Sequence, residues 1–320
     1  MTRFLLERLA HAITVIAVVS LLTFFIIHLA PGGPSLLADP KLSRVERAAI
    51  ERELGVDRPL PQQFATWVTR VARGDLGRSF LYQTPNVDTI LARFPNTLLL
   101  AGSALLLSIV LAIPLGAYAA AHPGSLLDRT LGLASFTIMA VPAFWLGIGA
   151  ILVFAVGTHL LPAGGASTPG LGWSVADRLR HLLLPAVVLS AATSAELFRY
   201  ARTSAGAAFK LPLVRTVRAK GGRRRTVAWH ALRNALIPVL TVIGLQLPRL
   251  VGGAAITETV FAWPGMGRLG VEAALGRDYP LVMAMTLFVS AAVVLVNIAI
   301  DLCYAWADPR IRLDATGARG

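Results

Sequence analysis

ELFRYARTSAGAAFKLPLVRTVRAKGGRRRTVAWHALRNAL, residues 196–236, holds ten cations and, after Glu196, no carboxylate. The cations are Arg199, Arg202, Lys210, Arg215, Arg218, Lys220, Arg223, Arg224, Arg225 and Arg233. Apolar stretches long enough to cross a bilayer lie on both sides. Lys and Arg accumulate in the cytoplasmic loops of membrane proteins. The segment therefore orients the chain and offers a charged surface to something in the cytosol.

Composition agrees with a polytopic membrane protein. The 320 residues are 55% hydrophobic and only 15% charged, against about 25% charged for a soluble domain. The net charge of +13 raises the question of nucleic acid. Much of the excess sits in one loop between apolar spans, which points instead to lipid head groups and cytosolic proteins. Cys303 is the single cysteine, which excludes an intrachain disulfide and a cysteine-rich metal site.

Six spans are expected. The first, Leu9 to Ala30, follows Arg3 and Arg8 and so starts in the cytosol. It is longer than the apolar core of a signal peptide, which favours a retained anchor. Five more follow: Thr97 to Ala121, Leu131 to Val156 with a break at Pro142, Leu182 to Tyr200, Leu236 to Trp263, and Leu281 to Trp306. Each is near or above the roughly 20 residues that cover the hydrocarbon. An even number of spans puts both termini inside, with the basic loop.

Between the first two spans, residues 31–95 are too polar to cross and are placed outside. Ser43-Arg44-Val45-Glu46 reads as a capping box, and Gly55 then Pro59 end that helix. A second helix opens at Pro61, with Phe64, Trp67, Val68 and Val71 on one face, and stops at Gly74. Either a module packed on the membrane surface or a substrate-receiving lid fits. The expected domains are 1–95, an anchor helix plus external amphipathic segment; 96–312, a core of five spans with a cytoplasmic loop; and 313–320, a cytoplasmic tail.

Within the basic loop, Leu211-Pro212 looks like a helix start. Leu213, Val214 and Val217 give a short apolar stripe, and Arg215, Arg218 and Lys220 lie largely away from it. Gly221-Gly222 ends the helix, because glycine readily adopts the left-handed cap conformation. Such an element can act as a lever on a soluble partner. The alternative is that its charges only fix topology and bind anionic lipid.

The stretch Val214-Arg215-Thr216-Val217-Arg218-Ala219-Lys220-Gly221, followed by His230 to Pro238, closely resembles the cytoplasmic signature of ABC-type importer permeases. The similarity is to the dipeptide, oligopeptide and nickel branch, the DppB and OppB type. Leu54 to Pro61, Arg73 to Ser79, Glu258 to Leu269 and Asp308 to Arg312 resemble further motifs of that branch in the expected order. The chain departs from the general Glu-Ala-Ala pattern, with Arg215-Thr216-Val217 in those positions. The segment from Gly221 to His230 is one residue shorter than the pattern.

The resemblance implies an all-α fold with a MetI-like core. It also implies a second, similar permease, two cytosolic ATPase subunits and an external substrate-binding protein as partners, in a bacterial cytoplasmic membrane. The cargo it implies is peptide, with nickel or an oligosaccharide as rivals. Leu213, Val214, Arg215, Thr216, Arg218, Ala219, Lys220 and Gly221 would couple the chain to an ATPase. An ion-driven carrier is the reading from another class, but related halves with short broken helices are not evident.

The chain itself is not expected to be an enzyme. It contains no phosphate loop of the G-x-x-x-x-G-K-[ST] form, no H-E-x-x-H and no G-x-S-x-G. No cofactor or metal is expected. Arg249 lies near the middle of the fifth span, where a lipid-facing arginine costs about 2.5–3.5 kcal/mol on insertion scales. Gln246, Arg249 and Glu258 are therefore placed along a pathway, a structural contact with a partner permease being the rival reading for Arg249. Trp263, Pro264 and Gly265 are placed at an external gate, with an interfacial tryptophan as the rival for Trp263.

Overall fold

The computed structural model describes residues 2–29, 33–34 and 43–307. These form eleven α-helices and one π-helical turn, with no strand among the described residues. They divide into two compact units, one from Met1–Pro95 with Leu269–Gly320 and one from Asn96–Arg268. Each is taken by itself.

In the first unit α1 spans Thr2–Leu29, α2 Arg44–Leu54 and α3 Leu60–Ala72. It also takes in the start of α4 (Asn86–Ala121), the end of α10 (Met266–Leu275) and all of α11 (Tyr279–Ala307). α1 packs on α11, and α3 rests on α1, where Phe64 meets Phe24 edge to face at 5.2 Å. The capping box forms as expected: Ser43 Oγ accepts from the Glu46 amide and the Glu46 carboxylate accepts from the Ser43 amide. Hydrogen bonding to the carboxylate by the Ser43 side chain, and then by its backbone amide, favours the ionised form, so Glu46 titrates below the usual glutamate range. Gly55 closes α2 at φ +68°, a conformation with little steric cost only for glycine.

Asp278 organises the other end of this unit. It is fully buried and precedes α11, whose Leu281 amide donates to its Oδ1 at 3.2 Å. Its Oδ2 accepts from Ser79 Oγ and from the Leu81 amide. One carboxylate thus caps a helix and pins a loop 197 residues away in sequence. The spans α1 and α11 bury only 17% and 22% of their most apolar windows, which leaves broad faces for lipid.

The second unit contains the rest of α4, then α5 (Leu126–Ala140), α6 (Ala143–Ala150), the π turn Ile151–Gly157, α7 (Val175–Ala208), α8 (Pro212–Ala219) and α9 (Arg224–Val260). α7 is its central element. It buries 67% of its apolar window and packs against α5, α6 and α9. The approach to α4 is close because Gly116 has no side chain: a Cβ there would sit 2.8 Å from Ala201 Cβ and from the Phe198 carbonyl.

By length and composition four helices can cross a membrane: α1, α4, α7 and α11. Two bent pairs raise this to six. α5 meets α6 and its π extension at 105° across Val141-Pro142. Proline has no amide hydrogen to continue the ladder, so the expected break becomes a sharp fold-back. The halves of α9 meet at 45° around Pro238. α4 begins at Asn86 rather than Thr97, and α7 at Val175 rather than Leu182. For α7, Ser174 supplies an N-cap ahead of the apolar stretch that begins at Leu182, its Oγ accepting from the Asp177 amide. Hydropathy marks where a helix is apolar, whereas the cap marks where it starts.

Gly116→Val forces overpacking between α4 and α7, which costs about 1–3 kcal/mol. We expect a lower thermal midpoint in detergent for this variant. Gly102→Ala, with no atom within 4 Å of the new methyl, leaves the midpoint unchanged.

Candidate functional site

The basic loop folds around α8. Leu211 precedes it in extended conformation and Pro212 is its first residue. Val214 is fully buried among Ala205, Ala208, Val227, Ala231 and Ala235, with Val217 packed at the edge. Alanines from α7 and α9 let the short helix seat close to both. Burying one valine side chain is worth about 1.5–3 kcal/mol, enough to root a helix too short to be stable alone. Leu213, expected in the apolar stripe, is instead 52% exposed. At 3.6 residues per turn Leu213 lies about 40° from Val217 but about 100° from Val214, and the alanine seat closes on the Val214 side. Arg215, Thr216, Arg218, Ala219 and Lys220 are exposed beside it.

The end of α8 is a Schellman motif. The Gly222 amide donates to the Val217 carbonyl at 3.0 Å and the Gly221 amide to the Arg218 carbonyl at 3.1 Å. Gly221 has φ +78°. A Cβ on Gly222 would lie 2.7 Å from the Val217 carbonyl oxygen, so both glycines are required. α9 starts two residues later, at Arg224.

Two of the ten cations are engaged elsewhere in this unit. Arg202 pairs with buried Asp128 of α5, through Nη2 to Oδ2 at 2.9 Å and through Nε to Oδ1. Asp128 also accepts from the Gly124 amide. Arg199 lies over the Phe136 ring, 4.8 Å from its centroid. These two cations brace α7 against α5, a role invisible in a stretch without carboxylates. The signal for Asp128 is Ser125 three residues before it, which caps α5 by accepting from the Asp128 amide.

At the other end of α9, residues expected along a pathway and at a gate form one polar turn. Glu258 is fully buried. Its Oε1 accepts from Thr97 Oγ1 at 2.7 Å and its Oε2 from the Arg268 amide at 3.0 Å. Thr97 Oγ1 in turn accepts from the Met266 amide. Any Cβ on Gly265 would run into the Glu258 carboxylate.

Trp263 is fully buried against Leu100, Ala104, Leu182, Leu189 and Leu250. Its Nε1 donates to the Asn96 carbonyl at 3.0 Å, and Asn96 Nδ2 donates to the Pro264 carbonyl at 2.8 Å. So Trp263 does not sit at an interface, because a core encloses its ring and a carbonyl takes its N–H. The Glu258 carboxylate is held by a hydroxyl of α4 and an amide of α10. Gln246 is likewise buried. The side chain of Arg249 lies outside the described residues. No group of three metal-binding side chains occurs among the described residues.

A helical chain that crosses the bilayer several times, with a short cationic helix seated between two long ones, has the form of a transporter's membrane component. The chain belongs to the family of binding-protein-dependent transport system inner membrane components. That family's profile matches residues 112–313, and the profile for the N-terminal part of such components matches residues 1–101. It is a transport subunit, not an enzyme.

Its relatives include the oligopeptide transport system permease protein AppB of Bacillus subtilis (strain 168), 38% identical over 97% of this chain and 99% of that one. The dipeptide transport system permease protein DppB of Escherichia coli (strain K12) is 36% identical over 98% and 99%. A solved structure of the MetNI methionine ABC transporter in inward-facing conformations shares the fold, with a TM-score of 0.54, 18% identity and coverage of 69% of this chain and 97% of that one.

Thr97→Val removes one donor from a buried carboxylate, and an unmet buried group costs about 1–3 kcal/mol. We expect Thr97→Val and Gly265→Ala each to lower the thermal midpoint of the detergent-purified chain, and Thr97→Ser to restore most of it.

Proposed function

We propose that this chain forms, with a second permease, the bilayer pathway of an ATP-driven importer for peptides, and that α8 couples it to a cytosolic ATPase subunit. The observation that carries the coupling claim is the seat of α8. Val214 anchors it, whereas Leu213, Arg215, Thr216, Arg218, Ala219 and Lys220 face outward. An exposed leucine ringed by cations is what a docking element presents to a protein groove, since apolar anchors supply affinity and charges steer encounter.

Both termini and α8 then lie in the cytosol, as the excess of Lys and Arg there favours. Residues 43–95 lie outside, where an external binding protein delivers cargo. Full-length similarity to oligopeptide and dipeptide permeases supports peptides as the cargo.

Transport by the complete complex in proteoliposomes tests this reading. Di- and tripeptides should be taken up with ATP, and nickel and oligosaccharides should not. Gly221→Pro imposes φ near −65° where +78° is needed and should abolish uptake while membrane insertion persists. Arg215→Glu should do the same and reduce co-purification of the ATPase subunit. Full uptake in both variants would overturn the coupling claim.

A further inference from the structure

We propose that the first unit holds a binding site for the head group of an anionic glycerophospholipid, in the cavity where α3 meets the end of α1 and the start of α11. The site rests on the membrane reading of α1 and α11 and is independent of the cargo. The cavity measures about 630 Å³. Phe24, Tyr279 and Met283 form a buried apolar and aromatic floor. The exposed arginines Arg52, Arg58 and Arg70 stand around its rim, and a fourth, Arg78, is held by donating to the Gln83 carbonyl at 2.6 Å. Among the described residues Arg52, Arg58 and Arg70 form no ion pair. Asp75, the carboxylate in the lining, accepts from the Gly77 amide.

The rim is built, not incidental. Gln63 Nε2 donates to the Val56 carbonyl at 3.1 Å and to the Arg58 carbonyl at 2.8 Å. This fixes the turn between α2 and α3 that presents Arg58. Gly55 reverses the chain just before it, which brings Arg52 and Arg58 to one side of the cavity.

Depth in the membrane selects the ligand. α1 ends at Leu29 and α11 begins at Tyr279, and the His28 and Tyr279 rings lie 5.1 Å apart. Both spans therefore leave the hydrocarbon at one level, which is head-group level. α3 buries no residue and lays its aromatic face on α1, as an interfacial amphipathic helix does. Below the cavity, within one turn of Phe24 toward the hydrocarbon, Leu21 and Leu22 are 39% and 56% exposed on α1, a surface along which an acyl chain can run. A guanidinium binds a phosphate through two parallel N–H donors, and basic pockets beside spans take anionic head groups. A small soluble anion would use the arginines but not the apolar floor.

The test is native mass spectrometry of the assembled complex taken from nanodiscs containing phosphatidylglycerol and phosphatidylcholine. The wild type should retain phosphatidylglycerol preferentially on this chain. Arg52→Gln, Arg58→Gln and Arg70→Gln together should cut that retention about fivefold, through loss of charge-assisted contacts, and Arg58→Gln alone should cut it by a smaller factor. Arg44→Gln, Arg73→Gln and Arg129→Gln together remove the same charge from outside the cavity and should leave retention unchanged. Equal retention by both triple variants would overturn the proposal, as would equal retention of the two lipids. Displacement of the lipid by an equal concentration of glycerol 3-phosphate would also overturn it.

Discussion

The seat of Val214 is the contact on which the proposed mechanism depends. Ten cations within 41 residues repel one another, and without an anchor the loop has no reason to hold one shape. Alanines of α7 and α9 leave room for one valine and the edge of another. The Schellman turn at Gly221 and Gly222 then returns the chain directly into α9. A displacement applied to the exposed face of α8 therefore acts on two long helices and not on a slack loop.

In the proposed mechanism α9 carries that displacement across the second unit. Its start helps to seat α8, and its end carries Glu258, which brackets the turn from Trp263 to Arg268. The bend at Pro238 lies between the two. The bracket follows from a rule of the bilayer. Within hydrocarbon every backbone donor and every carboxylate needs a partner inside the protein. Glu258 meets that rule with a threonine hydroxyl and a backbone amide and Trp263 with a carbonyl, while Asp128, ahead of the apolar part of α5, is held by an arginine. In this unit buried polar groups fix the turns, and apolar packing of α7 fills the space between them.

Much of this was legible in the sequence, for stated reasons. Proline and glycine act locally, so the break at Pro142, the left-handed Gly55 and the end of α8 at Gly221 could be read directly. The capping box at Ser43 is local too. Hydropathy found the apolar part of each span but not the polar ends of α4 and α7, because a helix continues into water as long as its own ladder holds. Groups that act across distance in sequence were hidden. Asp278 with Ser79, Asp128 with Arg202, and Glu258 with Thr97 meet only after folding. Asp278-Tyr279-Pro280 ahead of an apolar run was nonetheless a cap signal. Leu213 is about 40° from Val217 around α8, so periodicity alone puts it in the apolar stripe, and only the packing of α7 and α9 leaves it outside the seat of Val214.

One measurement bears most directly on the central claim. With Cys303 changed to serine, Leu213→Cys introduces a single thiol on the exposed side of α8 for a photo-crosslinker in the assembled transporter. The account predicts an adduct with a cytosolic ATPase subunit whose yield changes between nucleotide-free and ATP-bound states. Adducts with lipid alone, or labelling of the thiol only from the external face of the membrane, would contradict it.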